Sequence, residues 1–366
     1  MKILLLSGYD AASHRIWREG LVRNLGEHEW TVLTLPPRFF AWRTRGNPLS
    51  LFFGRKEVIT RRYDLTLATS MTDLAELKGI APNLSVIPAI AYFHENQFEY
   101  PEQKTRKEYQ NYKFTNLYTA LASERVLFNS RFNRDTFLAG AEELLSAMPD
   151  HVPPGIVESV AERSSVLQVP LEDQIFNLGP IRSVGPLVML WNHRWEHDKA
   201  PERFFKALYR LKERNVPFLI HVVGQQFRDQ PGIFNEARNK LDEHILTWGF
   251  VKDHLKYRSL LATSDLVVST ALHDFQGLAV LEGAAAGCQP VVPDRLAYPE
   301  FIPDVFRYPS FPHEHDREVK VLADRLEKLC LDPEGTRNFK ALDLTYLSWA
   351  NMAPKYREII NTTSGI

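Results

Sequence analysis

The sequence predicts two doubly wound α/β domains, each a parallel sheet covered by helices on both faces. Short apolar runs without polar alternation recur along the chain, as strands buried on both sides require. Amphipathic segments of helical length separate them, the alternation that builds βα units. The pattern breaks once, over 149–186, where six prolines cluster, and then resumes. A length of 366 residues fits two domains at roughly 150 residues each.

Taken in order, KILLLSG at the start reads as a buried strand ended by Gly8. A helix is expected over 13–25, with Ser13 as N-cap and Ile16, Leu21, Val22 and Leu25 on its apolar face. Strands follow over 30–35, 65–68, 84–93 and 125–128, with helices over 103–122 and 132–148. The 149–186 stretch reads as the interdomain connection. Beyond it come strands over 187–191, 218–224, 245–250, 266–269 and 289–292, with helices over 201–214, 233–241, 253–262 and 277–286. A last helix is expected over 346–359. The domains are therefore placed at 1–170 and 171–345, with 346–366 as a terminal helix. Open parallel sheets bind ligands at their carboxyl ends, so a cleft shared by both sheets is the expected site.

Composition narrows the function classes. With 44% hydrophobic and 24% charged residues, the chain is neither a fibrous nor a bulk-disordered protein. The first apolar run is four residues, Ile3 to Leu6, against about 7 for a secretory core and about 20 for a membrane span. Two cysteines, Cys288 and Cys330, make no disulfide framework. A cytoplasmic protein without a membrane partner is expected. The net charge of −1 means that any polyanion site is local. No Gly-x-Gly-x-x-Gly, P-loop or Gly-x-Ser-x-Gly motif occurs, which removes sequence support for dinucleotide, P-loop and serine-hydrolase chemistry. The run His313-Glu314-His315-Asp316 looks ligand-rich but reads as solvated surface.

The chemistry is concentrated in the second half. After the 187–191 strand comes Asn192-His193-Arg194-Trp195-Glu196-His197-Asp198-Lys199. Arg194 as a planar fork and Lys199 as a point charge can both reach one diphosphate; a mixed-charge surface loop is the competing reading. After the 266–269 strand, Asp274-Phe275-Gln276-Gly277-Leu278 leads into a small-residue helix bearing Glu282. Gly277 permits close backbone approach, and Asp274 and Glu282 can accept hydrogen bonds from sugar hydroxyls. The competing reading there is an N-cap and a surface Glu.

These residues resemble the donor signature of family 4 retaining glycosyltransferases, whose fold is GT-B. The resemblance implies that Arg194 and Lys199 hold the donor diphosphate and that the acid-x7-acid motif meets sugar and ribose. Such enzymes usually carry Glu where this chain has Asp274. The segment Trp349-Ala350-x-x-Ala353-x-x-Tyr356 is similar to their C-terminal helix, which crosses back to the first domain. A narrower resemblance rests on Tyr92 through Gln97, Phe128-Asn129-Ser130, the Trp191 to Lys199 block and Leu296 through Glu300. It points to the tRNA-queuosine mannosyltransferase family, which moves mannose from GDP-mannose to queuosine in the tRNA anticodon.

That resemblance implies a nucleotide sugar and a queuosine tRNA as partners, with no cofactor and no metal. Arg194, Lys199, Asp274 and His94 are then the catalytic candidates. Gly8, Ser13, Phe275, Gln276, Gly277, Leu278 and Glu282 would contact the donor, with the base pocket guessed at 248–253 through Phe250 and Val251. His94 ends an apolar strand, and Glu95 and Asn96 beside it are candidates for the acceptor diol. A cleft histidine satisfied by those neighbours is the competing reading. No Asp-x-Asp motif occurs, and charge stabilisation by Arg194 and Lys199 implies metal-independent transfer with retention.

For the tRNA, residues 36–62 hold seven cations, Arg43 and Arg45 among them, against the single acid Glu57, a local balance of +6. Phe39, Phe40, Trp42, Phe52 and Phe53 lie between them, the mixture that single-stranded RNA recognition uses. Lys104, Arg106, Lys107 and Lys113 would extend the track. Aromatics in the core beneath a solvated arginine face is the competing reading. Rival functions are a GT-B enzyme with a lipid or small-molecule acceptor, and a non-catalytic sugar-nucleotide or RNA-binding module.

Overall fold

The computed structural model describes residues 1–99, 106–227 and 230–365, with the backbone alone at 106–109. Two compact units divide it: Met1–Pro170 with Trp349–Ile366, and Leu171–Ser348.

In the first unit the strands are β1 (Lys2–Ser7), β2 (Glu29–Thr34), β3 (Leu65–Thr69), β4 (Ala89–Phe93), β5 (Arg125–Phe128) and β6 (Ser164–Val166). They pair in parallel in the order β2-β1-β3-β4-β5-β6. β1, β3 and β4 are almost wholly buried along their length, which is why their sequences do not alternate. The sixth strand lies inside the stretch read as a connection. Three residues with Ser164 and Ser165 are too short and polar to register as an apolar run.

The first helix is Ala12–Asn24, capped by Ala11 without a side-chain bond, so Ser13 is not its N-cap. Its buried face is His14, Trp17, Gly20 and Leu21, while Ile16 is exposed. Packing decides this: a Cβ on Gly20 would lie 2.2 Å from the Trp349 ring, so the helix Trp349–Ser364 nests where residue 20 has no side chain. Trp17 Nε1 donates to Tyr356 Oη at 2.9 Å. The expected 84–93 strand begins only at Ala89, because Pro82 starts a helical turn over Pro82–Ser85. An unexpected helix, Phe40–Gly54, contains Pro48.

The second unit carries β7 (Leu187–Trp191), β8 (Phe218–Val223), β9 (Ile245–Gly249), β10 (Leu266–Val268), β11 (Gln289–Pro293) and β12 (Arg307–Tyr308). Their order is β12-β11-β10-β7-β8-β9, the dinucleotide-fold arrangement with its topological switch between β7 and β10. The helix His315–Leu331, unassigned from sequence, covers one face through Val319, Leu322 and Leu326. Among the described residues no helix is long and apolar enough to cross a membrane.

Candidate active site

The loops after β7 and β10 leave the same end of the second sheet at its switch point, and the structure ties them together. Leu272 N–H donates to the Asp198 carbonyl at 2.8 Å, and Thr270 Oγ1 to the Lys199 carbonyl at 2.9 Å. The end of β8 closes over them from the other side. Gly224, at φ +157, sits where a Cβ would be 1.7 Å from the His193 carbonyl oxygen, and the Trp195 N–H donates to the Gln225 carbonyl at 2.9 Å. Trp195 then stacks on Phe234 at 4.0 Å, which fixes the chain on either side of Arg194.

Lys199 is thereby buried with its Nζ donating to the His273 carbonyl at 2.6 Å and lying 3.4 Å from Asp274 Oδ2 and 3.3 Å from Asp198 Oδ2. Asp274 Oδ1 accepts from Gly277 N–H at 2.9 Å. Gly277 has φ +77, and a Cβ there would meet the Tyr298 ring at 2.7 Å. A side chain at 277 is excluded by both strain and space. Arg194 pairs with Glu196 and lies 3.7 Å from Asp198 Oδ2.

The expected pair of cations is therefore a network of two cations and three carboxylates. The physical reason is that a buried ammonium is stable only when paired. Burial, the largest single influence, works to raise the Asp274 and Asp198 carboxyls, but Lys199 together with the Gly277 N–H at Asp274 and Arg194 at Asp198 holds both below their ordinary values. Burial pushes Glu196 up and takes His193 down to about 4, helped by Lys199. At neutral pH His193 is uncharged. Arg194 is the solvent-facing member, its side chain 43% exposed.

Glu282 sits one turn into the helix Leu278–Ala285. Its Oε2 accepts from Tyr257 Oη at 2.7 Å, and Asn192 Nδ2 donates to Tyr257 Oη and to the Ala279 carbonyl, each at 2.9 Å. Burial lifts its carboxyl to about 7. The chain Asn192–Tyr257–Glu282 thus links the β7 loop to the helix after β10. Phe275 and Gln276 are buried beside Asp274 and Leu278 is half-buried. The guessed base pocket is only partly assembled. Val251 packs with Tyr257 on the core and Phe250 is exposed, but Trp248 turns inward against Trp195 at 5.2 Å, because its large apolar surface finds a core cluster there.

In the first unit, Gly8 N–H donates to Thr72 Oγ1 at 3.1 Å, so the turn after β1 rests on the loop after β3. Ser13 lies half-buried in the first turn of the Ala12–Asn24 helix. His94 follows β4 and is buried. It stacks on His14 at 4.2 Å and meets the edge of Trp17 at 4.8 Å, and among the described residues no hydrogen-bond partner reaches its Nε2. Burial, then the neighbouring His14, push its pKa well below the ordinary value. Glu95 Oε2 lies 3.2 Å from His14 Nε2. The residue pattern does not single out His14 as a site residue, although its place three residues before Trp17 sets it on the same buried helix face.

Two of the acceptor candidates have partners within the fold. Asn96 is fully buried, its Nδ2 shared among Asn133 and Thr136 and its Oδ1 accepting from Phe98 and Glu99 N–H; its side chain anchors a turn. Arg45 pairs with Asp73 at 2.8 Å and Glu76 at 3.2 Å and keeps its side chain 46% exposed, as Arg194 does beside its own carboxylates. Arg43 is half-buried, with Nη1 3.5 Å from Ser50 Oγ. Lys104 lies outside the described residues, as do the side chains of Arg106 and Lys107; Lys113 Nζ sits 5.9 Å from the Phe98 ring centre.

Two parallel six-stranded sheets, with the β7–β10 switch loops carrying paired cations and acids, define a GT-B glycosyltransferase. Solved structures of that fold agree. HepE from Anabaena in complex with UDP superposes with a TM-score of 0.69 at 15% identity, covering 99% of this chain and 100% of that one. Sucrose-phosphate synthase from Thermosynechococcus elongatus gives 0.71 at 11%, covering 99% and 98%. Residues 181–341 match the family "Glycosyl transferases group 1" and residues 2–171 the family "tRNA-queuosine alpha-mannosyltransferase N-terminal". The tRNA-queuosine alpha-mannosyltransferase of Drosophila melanogaster is 30% identical over 373 residues, 98% of this chain and 96% of that protein. The chain belongs to the tRNA-queuosine alpha-mannosyltransferase family.

Proposed function

We propose that this protein transfers mannose from GDP-mannose to the diol of queuosine in a tRNA anticodon, in the cytoplasm, with retention and without a metal. The observation that carries the reading is the gathering of Arg194, Lys199, Asp274 and Glu282 around the β7–β10 switch, within a chain whose Drosophila relative is named for this reaction.

In this reading the exposed Arg194 guanidinium exchanges its carboxylate partners for the diphosphate of the donor. Lys199, held in place by the His273 carbonyl and Asp274, supplies a second, buried charge. Together they stabilise the negative charge that develops on the departing diphosphate. Asp274 accepts from a sugar hydroxyl, and Glu282, oriented by Tyr257, accepts from the ribose. Phe275 to Leu278 contribute backbone groups, Phe250 and Val251 border the base, and Gly8 and Ser13 supply the donor contacts of the first unit. His94 is neutral across the physiological range, so it serves as a hydrogen-bond partner of the transferring sugar, with Glu95 directed to the acceptor diol.

The test is incubation with GDP-mannose and queuosine-containing tRNA, followed by mass analysis of the nucleosides. A hexose increment on queuosine is expected, undiminished by a chelator. Arg194→Ala and Lys199→Ala should each slow transfer by about a hundredfold or more. No increment with GDP-mannose overturns the donor, and an increment lost with chelator overturns metal independence.

A further inference from the structure

The helix Phe40–Gly54 carries an apolar stripe that neither core nor site consumes. Trp42, Leu49 and Phe53 recur on one face and are 53%, 48% and 69% exposed; Phe39, just before the helix, is 71% exposed. The opposite face is buried through Thr44, Asn47, Pro48 and Leu51. Asn47 accepts from Asp73 N–H and donates to the Met71 carbonyl, each at 3.1 Å, and its side chain borders Gly8 so closely that a Cβ there would be 3.1 Å away. The helix therefore backs onto the loops after β1 and β3, the binding end of the first sheet, and turns its stripe to solvent.

Two details give the stripe a chemistry. Gly46 lies beneath Trp42, where a Cβ would be 2.6 Å from the indole, so the ring lies down along the helix and offers a flat face. Arg38 stands 5.6 Å from the Phe39 ring centre. Arg38, before the helix, and Arg55 and Lys56, at its end, are exposed, and among the described residues none of the three has a carboxylate at ion-pair distance, in contrast to Arg45. Flat aromatic faces edged by unpaired cations match a polyanion with exposed rings, which is single-stranded nucleic acid. The charge balance disfavours a neutral or basic protein partner.

We propose that this stripe is the platform on which unpaired anticodon-loop bases of the acceptor tRNA stack, with Trp42 and Phe53 as its two anchors and the flanking arginines on the phosphates. The proposal rests on the tRNA reading above. The test compares the full chain with its Trp42→Ala/Phe53→Ala variant and with Gly46→Ala, which lifts the indole. Binding is measured to a queuosine-bearing anticodon stem-loop, to duplex RNA, to GDP, and to vesicles of phosphatidylserine and phosphatidylcholine. Loss of roughly tenfold or more in stem-loop affinity for the double variant, a smaller loss for Gly46→Ala, and unchanged duplex and GDP binding support it. Equal stem-loop affinity in wild type and both variants overturns the platform and leaves the acceptor reading standing. A wild-type chain that ignores the stem-loop and binds vesicles through Trp42 overturns both in favour of a membrane-facing surface.

Discussion

Glu282→Gln isolates the energetic consequence of placing an acid in the small-residue helix after β10. The substitution keeps the size of the side chain and an oxygen able to accept from Tyr257, and removes only the titration. Burial raises the carboxyl from 4.5 to about 7. A carboxyl whose folded pKa lies above its unfolded value stabilises the fold fully below the unfolded pKa, and that contribution is lost as pH rises through the folded one. At about 1.4 kcal/mol for each tenfold change in proton affinity the ceiling is about 3 kcal/mol, and solvent at this half-buried site reduces it to about 1–3 kcal/mol. Urea unfolding of both chains between pH 4.5 and 8.5 reads this directly. The wild type should lose about 1–3 kcal/mol relative to the variant, mostly between pH 5 and 7, and the difference should level off above pH 8. Parallel profiles would show that Glu282 is ionised in the fold at neutral pH and refute the reasoning.

Two glycine substitutions test the close approaches. Gly224→Ala places a Cβ 1.7 Å from the His193 carbonyl oxygen at φ +157; a loss of about 3 kcal/mol in unfolding free energy is expected, with weakened GDP binding as the Arg194 loop moves. Gly20→Ala drives a Cβ to 2.2 Å from the Trp349 ring, and thermal unfolding should show a loss of about 1–3 kcal/mol, partly restored by Trp349→Phe.

Much of the architecture was legible because buried parallel strands write themselves as continuous apolar runs. β1, β7, β8 and β11 emerge within a residue or two of their expected bounds. Elements with mixed composition did not. The helix Phe40–Gly54 carries apolar residues on both its exposed and its buried face, which hides the one-sided pattern of a packed helix, and holds Pro48; β6 offers three residues without a hydrophobic signature. Arg194 with Lys199 and Asp274 with Glu282 were legible as two loops of one sheet, and the structure places them in one neighbourhood at its switch point. Their spacing did not reveal that Glu196, Asp198 and Asp274 already neutralise the cations, since spacing carries no information on which charges share a buried volume.

What the linear chain determined alone was periodicity and residue type: where strands and helices alternate, and which loops carry cations and acids. Tertiary structure alone decided which polar groups are spent on the fold and which remain for chemistry. Asn96 and Arg45 look alike as polar residue types, yet the Asn96 side chain is spent on a turn while Arg45 pairs with Asp73 and stays about half exposed. His14 looks like an ordinary helix position, yet it stacks on His94. Hydrogen bonds and ion pairs form across distances along the chain that no local pattern encodes, so the availability of a side chain is settled only when distant loops meet at the end of a sheet.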